Sequence, residues 1–151
     1  IFSILVHETI LDVGCSSGCI FQYIDNKYIG IDISPYMVQI FNHLHKNKLA
    51  FVINDTENIF FPDNSFDYVI SDGVFHYFPN KEYALKVISE MKRIARKGII
   101  ITANRTNITP RRKEHLFYEP EFFIEQKMEI FFLEKEKKYF NNFYCLFDCE
   151  I

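Results

Sequence analysis

The chain has 151 residues, a formal net charge of −3 and a pI near 6.0; 48% of it is apolar, with 17 Phe, nine Tyr, no Trp and five Gly. That much aromatic and aliphatic surface fills the core of one domain and excludes disordered, collagen-like and low-complexity classes. The mild acidity argues against a nucleic-acid-binding domain, whose footprint is a basic face, and no apolar run approaches the roughly 18 residues of a membrane span.

Strand and helix signals alternate. Thr9–Val13 is a short apolar run ended by Gly14. Gly18–Asp25 suits a short helix. Tyr28–Ile31 is a second run, ended by Asp32, and Ser34-Pro35 then gives an N-cap with Pro in the first helical position, opening a helix through Phe41 and Leu44. Ala50–Ile53 and Phe66–Ser71 are further runs, ended by Asn54-Asp55 and Asp72-Gly73. Asn80–Arg96 carries Leu85, Ile88, Met91 and Ile94 on one stripe, with a basic last turn and Gly98 as its stop, ahead of a fifth run at Ile99–Thr102. Runs of this kind, apolar without alternation, suit strands buried on both faces of a parallel sheet.

The last third reads differently. Arg105–Lys113 is a polar loop, Pro120–Lys127 one or two helical turns, and Met128–Leu133 and Phe143–Phe147 two strand-like runs. Strands joined so closely pair antiparallel. The fold expected is a single domain over residues 1–151: α/β, Rossmann-like and doubly wound, a mostly parallel seven-stranded sheet ending in an antiparallel hairpin. The basic clusters at Arg111–Lys113 and Lys135–Lys138 read as solvated segments. The cysteines fall in two pairs, Cys15/Cys19 and Cys145/Cys149. A four-thiolate metal site is set aside, because Cys15 lies in a loop with a better explanation and Cys145 and Cys149 fall in a buried strand pattern; no metal is expected. Free thiols, and the lack of a signal peptide in the first residues, point to the cytoplasm.

In a doubly wound sheet a ligand binds beyond the carboxyl ends of the strands, where strand order reverses. Four acids stand at four such ends: Asp12, Asp32, Asp55 and Asp72. Helix capping explains one or two of them, not all four beside a glycine-bearing loop. That loop, Leu11-Asp12-Val13-Gly14-Cys15-Ser16-Ser17-Gly18, has G-x-x-x-G spacing. A dinucleotide site needs G-x-G-x-x-G to bring a pyrophosphate onto the helix start, so a nicotinamide-dependent enzyme is disfavoured. Asp32 suits a ribose diol, since a carboxylate accepts from both hydroxyls, and Asp55 could accept from an adenine amino group. A nucleoside without phosphates, its charged tail near the first loop, fits best.

These residues are similar to the class I S-adenosylmethionine-dependent methyltransferases, of the broad small-molecule type called type 11. Leu11–Gly18 resembles that family's first motif, Gly30–Pro35 its second-strand motif, and Asn54–Glu57 with Phe61–Asp67 the stretch between its third and fourth strands. Ser71–Phe78 and Ile88–Thr102 resemble the segments that follow. Three departures stand out: Ser16 replaces the motif's middle glycine, Lys97-Gly98 replaces a longer turn, and almost nothing precedes the first strand, so the N-terminal helix that often covers the cofactor in the family is expected to be missing or to lie outside this chain.

The resemblance implies a methyl transfer from S-adenosylmethionine, leaving S-adenosylhomocysteine, to a small-molecule acceptor. It assigns Gly14, Cys15, Ser16 and Gly18 to the loop around the methionine tail, Asp12 and Asp72 to the surroundings of its amino group, directly or through backbone carbonyls near them, Asp32 to the ribose, Ile33 to adenine packing, and Asp55 and Thr56 to adenine polar contacts. His76 is the one candidate base, with a packing role as its alternative; Tyr77 and Phe78 read as acceptor-pocket walls or core. The remaining histidines, His7, His43, His45 and His115, read as surface residues. The segment Ser71-Asp72-Gly73-Val74 lacks the Pro-Pro-aromatic signature of amino-methylating nucleic-acid enzymes, so no nucleic-acid partner is expected. The alternative is a non-catalytic protein of the same fold, serving as a cofactor-binding or partner subunit.

Overall fold

The computed structural model describes residues 7–20, 27–104, 115–132 and 142–148. Five strands, β1 (Thr9–Val13), β2 (Lys27–Asp32), β3 (Leu49–Val52), β4 (Phe66–Asp72) and β5 (Ala95–Asn104), lie parallel in the order β3-β2-β1-β4-β5. The chain therefore winds outward from β1 to β3 and crosses back to β4, putting the switch point between β1 and β4. This is the Rossmann-like α/β arrangement. Beyond β5, the main chain of β7 (Asn142–Asp148) runs antiparallel to β5, and that of β6 (Glu129–Phe132) antiparallel to β7. The segment joining β6 to β7 lies outside the described residues, as do Cys149, the basic cluster at 135–138 and the polar loop at 105–113.

The middles of β1, β4 and β5 are apolar because both faces of the sheet are covered there, whereas three of the four residues of edge strand β3 are exposed. Leu11, Val69, Ile99 and Ile101 point into one core with Ala84, Val87, Ile88 and Met91 of helix α2 (Lys81–Ile94) and Phe123 of helix α3 (Pro120–Ile124). Ile10, Ile70 and Ile100, one position along, point into a second core with Val38 and Phe41 of helix α1 (Pro35–Leu44). The period of two in each strand thus serves two cores rather than one core and solvent.

Helix starts follow the caps legible in the sequence. The Ser34 hydroxyl accepts from Met37 N at 3.4 Å, with Pro35 in the first turn, and Asn80 Oδ1 accepts from Tyr83 N at 2.8 Å. The end of α2 corrects an expectation. The helix stops at Ile94, and Ala95–Gly98 are the first residues of β5, pairing with Phe66–Tyr68 of β4. Gly98 is a strand residue, not a helix stop. Lys92 and Arg93 give α2 its basic last turn, whereas Arg96 and Lys97, expected there too, hold the strand start: Arg96 Nη1 lies 2.8 Å from Asp67 Oδ1 and Lys97 Nζ 2.8 Å from Glu8 Oε1. A ladder with β4 plus two ion pairs outweighs the small preference of these residues for helix.

The helix expected over Gly18–Asp25 is a turn as far as Ile20, and residues 21–26 lie outside the described region. At the other edge, Asn42 of α1 closes β3: its amide donates to Ala50 O at 3.0 Å and accepts from Ala50 N at 2.9 Å. An edge strand capped by a side chain is blunted against pairing with another chain.

Candidate cofactor and active site

The loop after β1 turns by backbone conformations that side chains disfavour. Gly14 has φ +81° and Ser16 φ +49°. A Cβ on Gly14 would stand 2.3 Å from Val74 Cγ2, so both conformation and space require glycine there. Ser16 takes the same left-handed region with a side chain, at a cost of about 1 kcal/mol. The turn is tied to β2 by Gly14 N and Cys15 N, both donating to Ile31 O at 2.8 and 3.1 Å. Gly30 makes room for it, since a Cβ there would sit 2.5 Å from Cys15 Sγ. His45, expected at the surface, closes the loop from α1, its Nε2 2.9 Å from Ser17 O and its ring edge-on to Phe41.

Asp32, at the end of β2, is fixed by two main-chain donors. Ser16 N donates to its Oδ2 at 2.9 Å and Ser34 N to its Oδ1 at 2.8 Å. Each carboxylate oxygen offers about two acceptor positions, so each keeps one for a ligand. Beyond β3, Tyr83 of α2 is a hub: its hydroxyl donates to Asp55 Oδ1 at 2.9 Å, accepts from Thr56 N at 3.3 Å and lies 2.9 Å from Thr56 Oγ1. Asp55 also accepts from Glu57 N and Asn58 Nδ2, and these contacts hold its carboxyl below the usual range.

Asp72, at the end of β4, accepts a hydrogen bond from Thr102 of β5, and the same Thr102 hydroxyl accepts from Gly73 N at 2.7 Å. Asp12 lies beneath, only 2% exposed, bonded by the Tyr28 hydroxyl through Oδ2, with Oδ1 lacking a partner among the described residues. Burial pushes its carboxyl up to about 7; the Tyr28 bond opposes this, and the charges of Asp72 and Asp32 add to it. Asp12, Asp32 and Asp72 therefore share one field, which adds to the burial that raises Asp12.

A cleft of about 560 Å³ opens over these strand ends. Gly14, Ser16, Asp32, Ile33, Thr56 and Asp72 line it, with Met37, Val74, Tyr77, Phe78, Pro79 and Tyr83. Ile33 is 65% exposed on this wall. Asp12, Cys15, Gly18, Asp55 and His76 are not on the wall. Cys15 is a buried free thiol in the α1-side core, its pKa raised by burial. Asp55 acts on the wall through Tyr83 and Thr56.

His76 sits in a 3₁₀ turn, Phe75–Tyr77, its ring 4.0 Å from Tyr77 and 4.8 Å from His115 between centroids. Burial, then the neighbouring His115, lowers its pKa to about 4, which leaves a weak base. His115, expected at the surface, packs edge-on in this ring cluster, and the adjoining Leu116 N donates to His76 O at 2.9 Å. Met37, Tyr83 and Thr102 were not expected. Tyr83 and Thr102 bond groups 28 and 30 residues away, so nothing local marks them. Among the described residues, no group of three or more His, Cys, Asp or Glu side chains is placed to hold a metal ion, and no helix is long and apolar enough to cross a membrane.

The methyltransferase domain family matches residues 11–102, more than half of the chain. This chain belongs to that family. It is a class I, S-adenosylmethionine-dependent methyltransferase fold. A probable tocopherol O-methyltransferase from Oryza sativa subsp. japonica is 32% identical over 115 residues, covering 68% of this chain and 31% of that protein. The ajmaline N-methyltransferase of Rauvolfia serpentina is 35% identical over 103 residues, covering 62% of this chain and 34% of that protein. Proteins named as tRNA methyltransferases also match. The chain thus spans about a third of the length of these first two relatives. Among solved structures, a SAM-dependent methyltransferase from Methanosarcina mazei superposes with a TM-score of 0.76 at 17% identity, covering 94% of this chain and 92% of that one.

Proposed function

We propose that this chain is the cofactor-binding core of an S-adenosylmethionine-dependent enzyme that methylates a small-molecule acceptor, with the seven-stranded sheet and C-terminal antiparallel hairpin of that fold as its architecture. One observation carries the reading: the Asp32 carboxylate, fixed by Ser16 N–H and Ser34 N–H, opens into a cleft that also holds the Asp72 charge. A diol beside a cationic group answers both features.

Bound here, S-adenosylmethionine would supply an electrophilic methyl group on a sulfonium. Asp32 takes the ribose hydroxyls through its two remaining acceptor positions. Thr56, held by Tyr83, meets the base edge beyond β3, and Ile33 packs against the base face. Gly14 and Ser16 allow close approach to the main chain, and Asp72 and Asp12 favour the amino end of the tail. The apolar wall of Met37, Val74, Tyr77, Phe78 and Pro79 excludes water and holds the acceptor in line. His76 supports that wall as a packing residue, because its lowered pKa and its position behind Tyr77 suit it poorly to accept a proton. The apolar wall, the net charge of −3 and the small-molecule names of two relatives favour a small acceptor over RNA. The free thiol of Cys15 suits a cytoplasmic setting.

The test is transfer of label from methyl-labelled S-adenosylmethionine to fractions of a cell extract. Label in the small-molecule fraction supports the reading, and label in RNA overturns the acceptor class. Bound cofactor with no label in any fraction favours a non-catalytic subunit.

A further inference from the structure

The run Ile99-Ile100-Ile101-Thr102 ends in a hydroxyl-bearing residue that is only 5% exposed. Burying a hydroxyl costs free energy unless it is hydrogen-bonded, and an aliphatic residue would pack as well in the sheet. What the hydroxyl touches defines its direction. It receives Gly73 N–H at 2.7 Å, so a lone pair is committed there. Its single proton goes to Asp72 Oδ1, the one acceptor in contact among the described residues. The β-branched side chain is stiff at χ1, so the hydroxyl is a fixed point on β5, paired across the ladder with Asp72 itself. Asp72 is exposed on the cleft wall with its second oxygen available to a ligand.

Strand order says which end of the ligand Asp72 meets. Neighbouring strands lie about 4.8 Å apart, and the order β3-β2-β1-β4 sets Thr56, Asp32, Gly14 and Asp72 along one edge. With the ribose at Asp32, the base lies toward β3. Asp72, two strands from Asp32 on the other side, is roughly 10 Å away, within reach of an aminobutyrate tail and beyond the reach of the nucleoside.

We propose that Thr102 is a positioning residue that aims the Asp72 carboxylate at the amino group of the cofactor's amino-acid tail. This rests on the cofactor reading above. Its signature is selectivity for the tail, which a merely structural hydroxyl would not confer.

Two probes separate the roles: S-adenosylhomocysteine, which carries the tail, and 5′-methylthioadenosine, which keeps the nucleoside and the sulfur without it. Calorimetric titration of both is made on the wild type, Thr102→Val and Thr102→Ser. The expected result is S-adenosylhomocysteine bound roughly tenfold more weakly by Thr102→Val, the scale of one charge-linked hydrogen bond. Methylthioadenosine should stay within about twofold, and Thr102→Ser should recover the loss. Equal losses for both probes, or no loss for either, overturn the proposal. A wild type that binds neither probe overturns the cofactor reading, and this proposal with it, and is distinguished from failure of the proposal alone by that absence of binding. Should Thr102→Val not fold, Thr102→Cys keeps the volume with a weak donor and gives the same comparison.

Discussion

At the β2 end of the cleft the ligand-facing group is held by the main chain, whereas beyond β4 the walls are side-chain rings. Asp32 takes its position from Ser16 N–H and Ser34 N–H, and the loop that carries Ser16 is bonded to Ile31 O. Around Tyr77 the contacts are ring on ring, with His76 and His115 each keeping one buried nitrogen without a partner among the described residues. A site fixed by backbone donors depends on backbone geometry and tolerates little change in it. A wall of rings can be repacked. The difference matches a fold that keeps one cofactor and varies the acceptor.

The largest effect should come from disturbing the backbone end. Gly14→Ala places a Cβ 2.3 Å from Val74 Cγ2 at a φ of +81°. Overpacking and a left-handed side chain together predict a loss of ~2–4 kcal/mol in urea unfolding. Adding Val74→Ala should return the packing part only. Full recovery in the double variant would show that backbone conformation contributes nothing.

Next is the acid beneath the cleft. Asp12 has an ordinary pKa of 3.8 when unfolded and one raised to about 7 in the fold, by burial first. Between these values the folded chain holds a proton that the unfolded chain has released. Its contribution to stability is therefore full below about pH 4 and is lost as pH rises through 7. Asp12→Asn removes that slope. Urea midpoints at pH 5 and pH 8 should show the variant gaining on the wild type by on the order of 2 kcal/mol across the interval. A constant difference between the two would mean that Asp12 is ionised throughout.

The smallest effect is expected at Ser16. Ser16→Gly relieves about 1 kcal/mol of left-handed strain and adds a similar entropy cost in the unfolded chain. Stability should stay within ~0.5 kcal/mol, and S-adenosylhomocysteine affinity within about threefold, because the contact to Asp32 is made by the main-chain N–H. A larger loss of affinity would assign the Ser16 hydroxyl a direct contact and weaken the contrast between the two ends.

Much of the backbone end was legible in the sequence because its signals are local. Gly14, the Ser34-Pro35 helix start and the acids at the strand ends are each read within a few residues. The junction at Ala95–Gly98 was not, since a basic, helix-favouring stretch followed by glycine is overridden by pairing with Phe66–Tyr68. Tyr83 and Thr102 were invisible for a related reason. One lay inside an amphipathic helix and the other inside an apolar run, and their partners Asp55 and Asp72 are remote in sequence. His76 shows the converse: its residue type and position suggest a base, whereas burial and the neighbouring His115, both remote from any local signal, lower its pKa to about 4.

The central claim is that the Asp32 carboxylate reads the ribose of an S-adenosyl ligand. Calorimetric titration of the wild type and Asp32→Ala with S-adenosylhomocysteine tests it most directly. Losing two hydrogen bonds to a charged group predicts at least roughly 30-fold weaker binding in the variant with its thermal unfolding still cooperative. Equal affinity in the two proteins, or no binding by the wild type, would contradict it.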